Sequence, residues 1–347
     1  MDSERSVRLA PRADQIQKSS HVNQAIRMRL KVRWMFKVRC FLILPLILLC
    51  GLAGCQNPGP NAPSDAASTG QGKASVALQA PAWDAKFRSI WDDGAAEVST
   101  YTTQRMRGGS LRKGTATVIV RRATFSEDDR VAEADNAQKA AQHDLFPVMQ
   151  MNWVERYAVG LESCDEMTSS VVTLSSVDGR APGTETKDDF SAQSWDGQLF
   201  HQLLFDTTGI RSHQYSFQKE GDEQTTLSYP RDGVAADALW FWARGMAAPR
   251  VDVGQERVVD LLPRLRDVRE KRQPLSWYKA TLTRRAGVPK GQEFLVRGED
   301  GHTETFEVED AAPFRVMHWE NSDGEHAELV NSNRMKTWDV PAAVSRR

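Results

Sequence analysis

Cysteine is scarce in this chain, four in 347 residues, and the positions leave little to bridge. Cys40 and Cys50 lie in an apolar run, Cys55 follows it, and Cys164 stands alone downstream. With the first two removed as part of a leader and the third modified, no intramolecular disulfide can form and no cysteine pair is left for a structural metal. Cys164, beside Asp165 and Glu166, is expected to be inert, because neighbouring carboxylates raise a thiol pKa. Also missing is a stretch of about 20 apolar residues able to cross a bilayer as a helix. The chain has no Gly-rich phosphate loop, no His-Glu-x-x-His, no Gly-x-Ser-x-Gly and no nucleotide-pyrophosphatase motif. Those absences disfavour common enzyme scaffolds and leave no catalytic residue, metal ligand set or cofactor to assign.

Downstream of the first 54 residues a basic excess is lacking too. Residues 1–54 carry ten Lys/Arg against three Asp/Glu, which leaves 35 against 43, a net charge of -8, for the remainder. Such a domain lacks the cationic field that neutralises phosphates, so nucleic acid is not an expected partner.

What is present begins with a leader. Arg27, Arg29, Lys31, Arg33, Lys37 and Arg39 precede the apolar run Cys40–Cys50, which is roughly 11 residues long and contains Pro45; Gly51-Leu52-Ala53-Gly54-Cys55 follows. Charged, apolar, then small is the order of a signal peptide. Leu52-Ala53-Gly54-Cys55 resembles a bacterial lipobox, which implies acylation of the Cys55 thiol and cleavage before it. Residues 1–34 are polar and long for such a leader, and a start at Met35 or Met28 rather than Met1 would give an ordinary one. Residues 56–80 are rich in Pro, Gly, Ser and Ala, a flexible tether with a reach of about 25–30 Å. Gln56 is not the aspartate that retains many lipoproteins at the inner membrane, which favours the outer membrane, with the domain facing the periplasm. The expected organisation is therefore an extension over 1–34, a signal peptide over 35–54, lipidated Cys55 with a tether to 80, a β-rich domain over 81–342 and a tail over 343–347.

Within the domain, Glu97–Thr103 and Thr115–Val120 predict a hairpin around Gly108-Gly109. Met149–Leu161 alternates apolar and polar residues, Ser169–Leu174 reads as a strand, and Gly197–Phe217 reads as a hairpin interrupted near Thr208-Gly209. Leu275–Arg284, Glu293–Arg297, Thr303–Val308, Phe314–Glu320 and Ala327–Asn333 continue the pattern, with turns at Gly287, Asp300-Gly301 and Asp323-Gly324. The predicted fold is mainly β, an antiparallel meander curled into a partial (half) barrel. One helix near 235–246, with Leu239, Trp242 and Met246 at helical spacing, covers it, either packed over an open sheet end or into a half-closed barrel, or as a lid over an apolar cavity. Trp240, Phe241 and Trp242 cannot all face one core, so a ring is expected to meet a ligand, a partner or lipid.

Other clusters have plainer readings. His318, Glu320, Asp323, Glu325 and His326 read as a solvated hairpin tip rather than metal ligands. Asp92-Asp93, Asp165-Glu166 and Asp188-Asp189 read as surface turns, and Arg264–Arg272 as a solvated face rather than a contact for anionic headgroups.

The segments Ile90–Tyr101, Ser191–Gln198 and Asp237–Trp240 resemble an uncharacterised bacterial family of β-rich secreted or lipid-anchored proteins, some labelled "septum formation inhibitor Maf". The resemblance spans about residues 85–340 and brings no catalytic residues. More distantly, Thr305–Val308, Pro313–Val316 and Glu328–Val330 are similar to the last strands of secreted half-barrel proteins compared with lipoprotein carriers. The expected role is non-catalytic binding of a lipid or other amphiphile by a concave face lined by Trp153, Trp195, Trp240 and Trp242. The alternatives are an assembly lipoprotein with an envelope protein partner and a hydrolase with an unfamiliar site.

Overall fold

The computed structural model describes residues 80–336 except 82, 129, 132–143, 196, 208, 218–220 and 289–290. The expected signal peptide, Leu52, Ala53, Gly54, Cys55, the tether up to residue 79 and the tail lie outside the described residues. The first strands are β1 (Ala96–Arg107), β2 (Ser110–Ser126), β3 (Leu145–Val159), β4 (Glu162–Thr173), β5 (Glu185–Ser194), β6 (Gly197–Phe205), β7 (Gly209–Ser216) and β8 (Asp222–Ser228). The rest are β9 (Gly233–Ala235), β10 (Glu256–Leu262), β11 (Tyr278–Val288), β12 (Gly291–Gly298), β13 (Thr303–Glu309), β14 (Val316–Asn321) and β15 (His326–Met335).

All fifteen form one sheet in the order β8-β7-β6-β5-β4-β3-β2-β1-β15-β14-β13-β12-β11-β10-β9. Neighbours in sequence are thus neighbours in space, the first strand pairs with the last from Ala96↔Met335 to Gln104↔His326, and the circuit is left open between β8 and β9. The mainly β, partial-barrel expectation holds. Every neighbouring pair is antiparallel except β9·β10, and there the link is long enough for a parallel crossover.

Alternation places the core. In β2, Ala116, Val118 and Val120 are buried, and in β3 so are Met149, Met151, Trp153 and Tyr157, with more exposed residues between. Residues of β1–β3 and β10–β15 share one apolar cluster with the crossover segment, so the sheet curls around it. That segment is a 3-10 turn, Ala236–Ala238, leading into helix α2, Leu239–Ala243; α1 (Ala85–Trp91) precedes β1 and α3 (Leu265–Lys271) follows β10. Among the described residues the expected helix is one of three short α-helices, and of its expected placements it takes the one inside the half-closed barrel, filling the interior rather than lying over it.

The reason is its composition. A helix apolar on every side must be buried on every side, and Leu239, Trp240, Phe241, Trp242 and Ala243 all are. All three rings are buried because the curled sheet supplies a core all round. Burying Leu239, Phe241 or Met246 is worth roughly 1.5–3 kcal/mol each. Helix α1 forms because Asp84 accepts from the Phe87 N–H at 2.8 Å as N-cap, and Phe87, Ile90 and Trp91 then lie on the face that meets the core.

Candidate ligand pocket

The interior divides into three zones. At the centre, Trp240 of α2 packs on Trp153, Tyr101 and Phe306 with ring centroids 4.8, 5.5 and 5.8 Å apart. Trp153 and Trp240 are thus core residues facing each other, not walls of a cavity. Trp195 stands outside, 85 % exposed, in the β5–β6 turn. Trp242 alone of the four borders a cavity; its Nε1–H donates to the Pro249 carbonyl at 2.9 Å and its ring meets Phe294 edge-on at 5.2 Å.

That cavity, of about 330 Å³, opens at the rim where the chain enters through Pro81 and α1, within the size range of small-molecule sites. Phe87, Ile90, Trp242, Val251, Phe294 and Phe314 supply apolar walls, and Arg284 stands among them. The Arg284 guanidinium lies 5.5 Å from the Phe294 ring and donates to Gln292 Oε1 at 2.8 Å through Nε, with a long contact from Nη1 to the Val251 carbonyl at 3.5 Å. Its hydrogen-bond acceptors are therefore neutral oxygens. Burial lowers its pKa from the usual arginine value, with Asp252 opposing and Arg250 adding to the effect, but an arginine remains charged. Two other cations of this rim are answered: Arg244 bonds Glu97 at 2.7 Å and the carbonyls of Pro313 and Phe314, and Arg250 pairs with Asp252 at 3.2 Å; Lys86 of α1 also lines the cavity.

The opposite zone is charged. Arg105 bonds Glu155 at 3.0 Å and lies between the rings of Trp319 and Trp153, 4.7 and 5.3 Å from their centroids. Arg266 bonds Glu325 at 3.0 Å, Glu166 at 3.2 Å and the Met106 carbonyl at 2.9 Å, while Arg264 grips both oxygens of Glu304. Arg264 and Arg266 thus correct the expectation of a solvated basic face, and buried Glu166 and Glu325 correct the readings as a surface turn and a solvated tip. Burial pushes Glu325 upward, yet Arg105 and Arg266 outweigh it and hold the carboxyl at about 2. Among the described residues no group of three or more His, Cys, Asp or Glu is placed to hold a metal ion.

A third buried group crosses the open seam. Glu185 of β5 accepts from the Ala235 N–H of β9 at 2.8 Å and from Tyr229 Oη–H at 2.9 Å. Burial raises it to about 7, although those bonds pull it down. Asp188, wholly buried rather than in a surface turn, is raised by burial and by the facing Asp237 and Glu185 carboxylates. Asp237 accepts from the Leu265 N–H at 3.0 Å. Cys164 is buried, and burial followed by Glu162 pushes its thiol up, in line with an inert role. The buried His201 imidazole bonds Ser212 at 2.9 Å rather than Cys164, and this pair lines neither the apolar pocket nor the cavity beside Cys164.

Arg284, the decisive pocket residue, was not singled out by the sequence reading. Its only sequence signal is its place as the first of the pair Arg284-Arg285 that closes the apolar–polar stretch beginning at Leu275.

No protein-family model matches the chain, and no curated protein matches it. Among solved structures it is similar to a β-barrel-like protein of the domain of unknown function DUF1849 from Brucella abortus. That likeness has a TM-score of 0.37 and 11% identity over 70% of this chain and 99% of the other. A DUF1089 family protein from Pseudomonas aeruginosa is similar with a TM-score of 0.28 and 13% identity over 46% and 79%.

Proposed function

We propose that this chain is a lipid-anchored envelope protein whose domain binds an anionic amphiphile, without chemistry, in the pocket at the N-terminal rim. The observation that carries the reading is Arg284: a charged group set among aromatic and aliphatic walls and bonded to neutral oxygens is matched by a carboxylate or phosphate joined to an apolar tail. The rim that holds it is also the one through which Pro81 enters, so a tether from Cys55 would keep the pocket near the membrane that supplies such molecules.

Arg284→Gln keeps the side chain's polarity and removes its charge. It is expected to weaken palmitate binding about tenfold or more, the scale of a charge-assisted hydrogen bond, while leaving cetyl alcohol binding within about twofold. Titration calorimetry of both ligands checks this, and equal loss for the two would remove the headgroup role. For the anchor, Cys55→Ser is expected to abolish incorporation of labelled fatty acid and to shift the protein from the membrane to the soluble fraction. Retention of label in that variant would end the lipoprotein reading.

A second reading, docking of an envelope protein by strand addition, has one observation in its favour. Strand β8 ends the sheet and is exposed along almost its whole length.

A further inference from the structure

At the opposite rim, three large apolar side chains stand in water on three successive hairpin tips. Leu161 is 109 % exposed, Trp195 85 % and Phe217 71 %. The register makes them neighbours: β3 turns into β4 after Val159↔Glu162, β5 into β6 after Ser194↔Gly197, and β7 ends where Leu199↔Ser216 pairs it to β6. They are also tied together. The Trp195 N–H donates to Glu162 Oε1 at 3.1 Å, and the Phe217 N–H donates to the Gln198 carbonyl at 3.1 Å. Phe217 lies so close over Gly197 that a Cβ there would stand 2.9 Å from its own.

Singly exposed apolar residues are ordinary, whereas three held side by side at one end are not. Beside them opens a second cavity of about 330 Å³, with Phe217 in its wall. Four guanidiniums, of Arg107, Arg266, Arg269 and Arg272, line it against two carboxylates, of Glu166 and Glu270. Arg266 is turned inward to Glu166 and Glu325 and Arg107 bonds Glu270 at 2.7 Å, while Arg269 and Arg272 come from the last turn and C-cap of α3. The basic run of the sequence is thus divided: Arg264 and Arg266 pair with buried carboxylates, Arg269 and Arg272 line this cavity, and Lys271 turns to Asp323 at 2.8 Å.

We infer that this rim is a membrane-docking surface: Leu161, Trp195 and Phe217 enter the interfacial layer of a lipid bilayer while the adjoining arginine-lined cavity takes an anionic headgroup. Aromatic and leucine side chains next to arginine are the pairing that such an interface favours, and the sign of the cavity matches anionic lipid. The rim lies at the other end of β1 from the N-terminal rim, 12 residues or about 40 Å away, so docking by it is an alternative to the pose that holds the ligand pocket at the bilayer, and it draws a tether from Cys55 beyond its mean reach of about 25–30 Å but within the roughly 80 Å that 25 residues can span.

Trp195 provides its own probe. The full chain and its Trp195→Phe variant are mixed with vesicles of phosphatidylcholine alone, or with phosphatidylglycerol added, whose acyl chains carry bromine. The wild-type minus variant fluorescence isolates Trp195. It is expected to fall at least about twofold with the anionic vesicles and to recover when Leu161 and Phe217 are both changed to Ser; these exposed positions leave the thermal melt unchanged. A Trp195 signal that stays unquenched in anionic vesicles overturns the proposal and leaves the surface to a protein partner. Equal quenching by neutral and anionic vesicles overturns the headgroup part.

Discussion

Arg266→Ala is expected to destabilise the domain by about 3–5 kcal/mol at pH 7, the scale of removing one partner from a buried charge pair. The arginine is 7 % exposed and holds Glu166 and Glu325. Without it Glu325 keeps the Met106 N–H and the Asn321 amide, each at 2.8 Å, and a 3.9 Å contact with Arg105, while Glu166 keeps the Tyr157 hydroxyl at 2.5 Å. Acid makes the prediction more specific. In the wild type Glu325 titrates at about 2, below its ordinary 4.5, so it contributes stability that is present above about pH 4.5 and is lost as pH falls toward 2. In the variant Glu325 loses one of the two cations that hold its carboxyl down, so the deficit against wild type is expected to shrink between pH 7 and pH 5. Urea unfolding at the two pH values measures it, and a deficit below 1 kcal/mol at pH 7 would show the network to be dispensable.

Glu185→Gln is expected to act in the opposite direction. The carboxyl is raised from 4.5 to about 7 by burial, so the folded state holds its proton more tightly than the unfolded chain does. Its contribution is fully present below about pH 4.5 and is lost as pH rises through 7. Glutamine copies the neutral form, accepting from the Ala235 N–H and meeting the Tyr229 hydroxyl with its amide. The variant should match wild type at pH 4.5 and exceed it by about 3 kcal/mol at pH 8, from about 2.5 pKa units at 1.36 kcal/mol each. Asp188 and Asp237 are raised as well, so a shallower decline remains. Denaturant titrations at pH 4.5, 6 and 8 check it, and parallel pH curves for the two proteins would contradict it.

These two sites show where sequence reading stops. Hairpins such as β1–β2, β12–β13 and β14–β15 were legible because apolar residues recur at every second position and Gly-Gly or Asp-Gly marks the turns. Strand β8, Asp-Glu-Gln-Thr-Thr-Leu-Ser, gives no such signal because as an exposed edge it has no core face to encode. Helices α1 and α3, seven residues each, are too short for a clear period. The aromatic helix was legible as a helix, but its place inside the sheet follows from closure of the circuit by β1 and β15, which no local pattern announces. Charges are the harder case. Arg266 lies 100 residues from Glu166, and Arg244 lies 147 from Glu97, so a basic run and an acidic pair that look solvated apart become core only when brought together. Arg284 owes its setting to Trp242 of α2, Phe294 of β12 and Phe87 of α1, three segments that meet only in the fold.

The pairing of β1 with β15 has a consequence for how the molecule assembles. Besides the native edges β8 and β9, a chain that has been made only as far as β14 presents two further raw strand borders, β1 and β14, each ready to stick to another copy. The final strand is the keystone, and it arrives more than 200 residues after its mate, so the search that seats it is the slow, aggregation-exposed stage of folding.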